Sequence, residues 1–100
     1  MTTIEKLQAF CEMLTAQQKA RHEKMYTHKF SDEAHLHVAK KYAKVDVGTS
    51  GKYMVEMNTE RIYGIKAYGV IHRGHQYGTL DTIRDWDWSG YVAHPLTVNA

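Results

Sequence analysis

Between Lys41 and Lys66 apolar and polar residues alternate with a period of two, and the run is twice interrupted by residues that reverse a chain. Ala43, Val45 and Val47 fall on one side of the first segment, with Tyr42, Lys44 and Asp46 on the other. Gly48-Thr49-Ser50-Gly51 then supplies turn chemistry. The second segment sets Tyr53, Val55 and Met57 against Lys52, Met54, Glu56 and Asn58. Asn58-Thr59-Glu60-Arg61 makes the next reversal, and Ile62 to Lys66 is the third segment. A period of two is strand geometry, and connections this short join antiparallel neighbours. The stretch predicts an antiparallel meander, and one face of it needs a cover.

The N-terminal segment offers that cover. Thr2-Thr3-Ile4-Glu5 fits a capping box, in which hydroxyl and carboxylate each satisfy an amide at a helix start. Ile4, Leu7, Phe10, Cys11 and Leu14 follow at three- and four-residue spacing and make one apolar stripe. Neither proline nor glycine interrupts positions 3 to 29, so a helix is predicted over 1–26. After Leu14 the stripe gives way to Gln17, Gln18, Lys19, Arg21, His22, Glu23 and Lys24. Two readings follow. Either the first turns pack on the sheet and the rest is a solvated end, or Ile4, Leu7, Cys11 and Leu14 form the seam of a homodimer. The fold class expected is α+β: a long N-terminal helix packed on a small antiparallel β-meander over 34–66, with an aromatic C-terminal cap. One hundred residues suffice for one domain, 1–100.

Ala34 to Val38 sets Leu36 and Val38 opposite His35 and His37, which favours a strand. A helix starting at Ser31-Asp32-Glu33-Ala34 is the rival. Residues 67–82 form a glycine-punctuated loop or a hairpin. As a loop they present Tyr68, His72, Arg73, His75 and Tyr77: a planar guanidinium fork, imidazole donors and stacking rings. As a hairpin, Val70-Ile71-His72 would pair with Gln76-Tyr77-Gly78 and reverse at Arg73-Gly74. Residues 83–91 hold Ile83, Trp86, Trp88 and Tyr91, which either close the core or make an aromatic patch for a partner. Residues 92–100 read as a loosely held tail that Pro95 keeps irregular.

Lys41, Tyr42, Val45, Ser50, Gly51, Tyr53, Val55, Glu56, Thr59, Ile62, Tyr63, His72, Arg73 and Gly74 together form a pattern that resembles a group of small proteins encoded by tailed bacteriophages. That pattern is a lysine–tyrosine strand, a Ser-Gly turn, an aromatic–acidic strand, an isoleucine–tyrosine strand and a basic loop with glycine. Glu60 departs from it, standing where glycine is expected. The resemblance covers under half the chain and implies a phage origin and a fold, not an activity.

Composition narrows the function. The formal charge of +2 does not by itself argue for nucleic acid or a membrane surface. No apolar run approaches a membrane span, and the start lacks a signal peptide's pattern, so a soluble intracellular protein is expected; the phage resemblance implies that its place is the cytoplasm of an infected bacterial host. Cys11 is a lone cysteine on an apolar stripe, a small core residue rather than a nucleophile. His72 and His75, with Asp81 or Asp85, raise a metal-dependent hydrolase, but Gly74 opposes the helix that their spacing would need. No cofactor is expected. The favoured expectation is a non-enzymatic accessory protein that binds, and in its specific version inhibits, a host or phage macromolecule such as a defence factor. Its surface would be Arg73 with Tyr68, Tyr77 and Trp88. The alternative is a nucleic-acid or nucleotide-binding module using Arg73, His75, Lys66 and the tyrosines.

Overall fold

The computed structural model describes residues 2–25, 33–48, 50–67, 69–89 and 93–95. In chain order they form α1 (Thr3–Met25), β1 (Ala34–Val38), β2 (Tyr42–Val47), β3 (Ser50–Glu56), β4 (Arg61–Ala67) and β5 (Val70–Thr79). A 3-10 helix (Leu80–Asp85), β6 (Trp86–Asp87) and β7 (His94–Pro95) follow. Strands β1 to β5 make one antiparallel sheet in sequence order, and β6 pairs with β7 separately. The α+β architecture is the one expected, and residues 34–38 are a strand.

The capping box is formed. Thr2 N–H donates to Glu5 Oε1 at 2.9 Å, and Glu5 N–H donates to Thr2 Oγ1 at 3.2 Å. From there α1 lays Leu7, Phe10 and Leu14 against the sheet, each fully buried. They meet Ala43 and Val45 of β2, Tyr53 and Val55 of β3, and Ile62 of β4. Register accounts for the shared face, since Ala43 pairs with Val55, Val45 with Tyr53 and Val55 with Ile62. Fully burying a side chain such as Leu7 or Phe10 contributes about 1.5–3 kcal/mol.

Trp88 closes this core. Its ring lies 4.7 Å from Phe10 and 5.3 Å from Tyr53, both edge-on. Edge-to-face contacts align the positive ring rim with a negative ring face. The indole N–H donates to Ile83 O at 2.8 Å, so burial leaves it satisfied.

Three expectations need correction. The second half of α1 is not simply a solvated end. Gln17 Oε1 accepts from Trp88 N–H, Gln18 Nε2 donates to Trp88 O, and Arg21 donates to Ser89 O. The polar residues strap the tryptophan segment in place. Nor do Ile4, Leu7, Cys11 and Leu14 present a dimer seam, because Leu7 and Leu14 face their own sheet and have no exposed surface, while Ile4 is 40% exposed. Finally, the tail does not begin at 92: Ala93 is buried, and Pro95 stands opposite Trp86 in the β6–β7 ladder. Tyr26, Ser31 and Asp32, on which the helix end and the rival helix start were placed, lie outside the described residues.

Candidate functional site

The helix covers one face of the sheet. On the other face the register brings together His35 and His37 of β1, Tyr42, Lys44 and Asp46 of β2, Lys52, Met54 and Glu56 of β3, and Tyr63 of β4. No described element packs over it. Met54 and Tyr63, a cross-strand pair, are nonetheless 5% exposed each. Part of their shelter comes from β5.

Strand β5 carries the site. It is neither the open loop nor the short hairpin reversed at Arg73-Gly74. The chain reverses between β4 and β5, where Ala67 pairs with Val70, and β5 then runs on as an outer strand. Ile65 pairs with Ile71 and Gly64 with His72, but Tyr63 pairs with Gln76. Arg73, Gly74 and His75 are therefore extra residues, and they form a wide bulge. Bulges re-aim side chains and spoil an edge for further strand pairing. Gln76 Nε2 closes this one by donating to Arg73 O at 3.2 Å.

The bulge sends its side chains to two places. Arg73 reaches over the uncovered face, where its guanidinium lies 5.9 Å from the Tyr63 ring centre and its Nη2 donates to Tyr42 Oη at 3.0 Å. Among the described residues it makes no ion pair. Lys41 lies over the same Tyr42, its Nζ 5.8 Å from the ring centre. One tyrosine thus stands between two cations. The imidazoles of His72 and His75 instead stack on each other at 3.9 Å and 9°. Gly64 makes room for this fold of the strand, since a Cβ there would lie 3.1 Å from His75 Cβ and 3.3 Å from Tyr77 Oη.

The six residues singled out from sequence separate accordingly. Arg73 and His75 are exposed, and His72 is half-buried beside them. Tyr77 and Trp88 belong to the core and are not part of a surface. Burial pushes the Tyr77 phenol up, and the neighbouring Tyr53 phenol well up, helped there by Tyr77. Tyr68 lies outside the described residues. Sequence reasoning missed Lys41 and Tyr42 as site residues. The signal was Tyr42 opening the polar side of an alternating strand, with Lys41 immediately before it.

The stacked imidazoles weigh against a shared metal. Ring nitrogens donate in the plane of the ring, so two parallel rings aim their lone pairs along separate planes. Among the described residues no three His, Cys, Asp or Glu side chains gather around one point. Cys11 is half-buried, and burial pushes its thiol up to about 11, with Glu12 adding to the effect. It is protonated at neutral pH and a poor nucleophile. No helix among the described residues is long and apolar enough to cross a membrane. No protein-family description, curated protein or solved structure matches this chain.

Proposed function

We propose that this protein is a non-enzymatic accessory protein of the phage type, and that it acts by binding a host or phage macromolecule through the uncovered face of its sheet. The observation that carries the proposal is Arg73. A bulge sets it over that face, two tyrosines hold it, and no carboxylate among the described residues neutralises it. Arginine held by neutral partners is ready to bind without first breaking an ion pair. Arginine and tyrosine together are also the residues that dominate binding hot spots. The phage attribution is supported by the pattern from Lys41 to Gly74. Inhibition of a host defence factor is its specific version, and it rests on analogy with small phage proteins.

The test is capture from a bacterial host lysate with the wild type, Arg73→Glu and, as a distant surface control, Arg84→Glu. Loss of a partner with Arg73→Glu but not with Arg84→Glu is the expected result. Equal capture by all three proteins overturns the proposed face.

A further inference from the structure

We infer that the uncovered face takes single-stranded nucleic acid, with phosphates held between Lys41 and Arg73 and a base stacked on the outer plane of the Arg73 guanidinium. The inference deepens the binding role proposed above and rests on it.

The argument starts from what a flexible polyanion needs: cations that follow its backbone, and flat groups on which bases can lie. Both are present around Tyr42. Its hydroxyl accepts from Arg73 Nη2, and Lys41 Nζ stands 5.8 Å from its ring centre. Neither cation makes an ion pair with a described residue. Arg73 donates one N–H to Tyr42, and the other donors of its fork remain for phosphate oxygens. The Arg73 guanidinium carbon lies 5.9 Å from the centre of the Tyr63 ring, and Tyr63 is nearly buried. Arg73 is itself exposed, so its planar guanidinium can take a base, as arginine planes do in recognising unpaired strands. An open sheet face suits a single strand better than a duplex, because unstacked bases can lie flat on it whereas duplex bases cannot. An acidic protein segment would use the cations but would leave the stacking surface without a role.

The test uses fluorescein-labelled oligothymidylate and oligouridylate of about 12 nucleotides, within the ~4–16 that compact sheet domains cover. Anisotropy is read across a salt series, with polyglutamate as competitor. Two phosphate contacts give a log–log salt slope of about −1.4 for a single strand. Arg73→Gln and Lys41→Gln should each flatten it by about 0.7. Arg73→Gln should also weaken binding at least about fivefold through lost stacking. Thermal melting confirms that these surface variants fold. Absence of binding at low salt overturns the inference, as does an unchanged slope in both variants. Displacement of the oligonucleotide by polyglutamate at equal charge also overturns it, in favour of an acidic protein. If oligonucleotides fail while Arg73→Glu still abolishes capture of a protein, the inference falls and the binding role stands. If nothing depends on Arg73, both fall.

Discussion

Replacing Glu60 separates backbone strain from side-chain anchoring in a single series. Glu60 has φ +62°, and it is the non-glycine residue among those described with a positive φ. Its backbone is tied on both sides, the N–H donating to Glu56 O at 2.8 Å and the C=O accepting from Leu80 N–H at 2.9 Å. The left-handed conformation costs about 1–2 kcal/mol for a residue with a Cβ. Glycine escapes that cost but loses about 0.5–1 kcal/mol more through chain entropy. Glu60→Gly should therefore exceed Glu60→Ala in stability by about 0.75 kcal/mol, or about 3–6 °C in Tm for a domain of this length. Neither variant carries a carboxylate, so the difference isolates the backbone. Thermal and urea unfolding at neutral pH measure it. A Glu60→Ala protein as stable as Glu60→Gly would refute the reasoning.

The Glu60 side chain offsets the strain of its own backbone. Glu60 Oε2 accepts from Thr3 Oγ1 at 2.7 Å, and Oε1 accepts from Lys6 Nζ at 2.9 Å, which also pairs with Asp81. The carboxylate thereby joins the helix start to the β3–β4 turn. The Thr3 hydroxyl first, and then the Lys6 ammonium, hold its carboxyl below the ordinary range. A depressed folded pKa contributes stability that is present above the unfolded value, near 4.5, and is lost as pH falls through the folded value. The advantage of wild type over Glu60→Gln should thus fade below about pH 4.5, whereas the Gly–Ala difference should not change.

Two further outcomes are expected. Gly78 has φ +75°, and a Cβ there would collide with Thr82 Oγ1 and lie 2.9 Å from Trp86 Nε1. Gly78→Ala should cost at least about 2 kcal/mol in urea unfolding, from strain plus overpacking; an unchanged midpoint would contradict the placement of Trp86. Cys11 in the native protein should react with a disulfide reagent at pH 8 far more slowly than in urea, because its thiol is raised to about 11. Equal rates would show that the stripe is open.

What the sequence revealed was whatever its local periods encode. The capping box, the helix stripe and the alternation of β2, β3 and β4 each depend on neighbours within a turn or a strand, and each is where the residues put it. The bulge at Arg73 was hidden because residues 70–79 mix glycine and polar residues without a period. Only pairing with β4 decides which three are left over. The straps from Gln17 and Gln18 were hidden for the opposite reason. Glutamines in a polar run look solvated, and their partner, the Trp88 backbone, is 70 or more positions away. Trp88 itself admitted two readings, because an aromatic residue suits a core and a hot spot alike. The polar helix end decided between them by satisfying the backbone that a buried Trp88 brings inside.

An uncovered sheet face has to stay dry enough to hold its strands together and open enough to be used. Here the cross-strand pair Met54 and Tyr63 supplies the apolar centre, and the Arg73 guanidinium lies over Tyr63. Lysine and arginine stems can shield apolar surface while their charged ends remain in water. Lys44 stretches far enough that a Cβ on Gly69 would lie 3.7 Å from its Nζ, and Lys52 is buried enough that its ammonium pKa is pushed down. Arg73 does the same over Tyr63 from the outer strand. Arg73, which lies over Tyr63 and is exposed, is therefore a group that a polyanion would meet early. A ligand drawing Arg73 outward would expose Tyr63, unless it put a flat surface of its own in that place. A base laid on Arg73 where it stands avoids that exposure, and this is the arrangement inferred above.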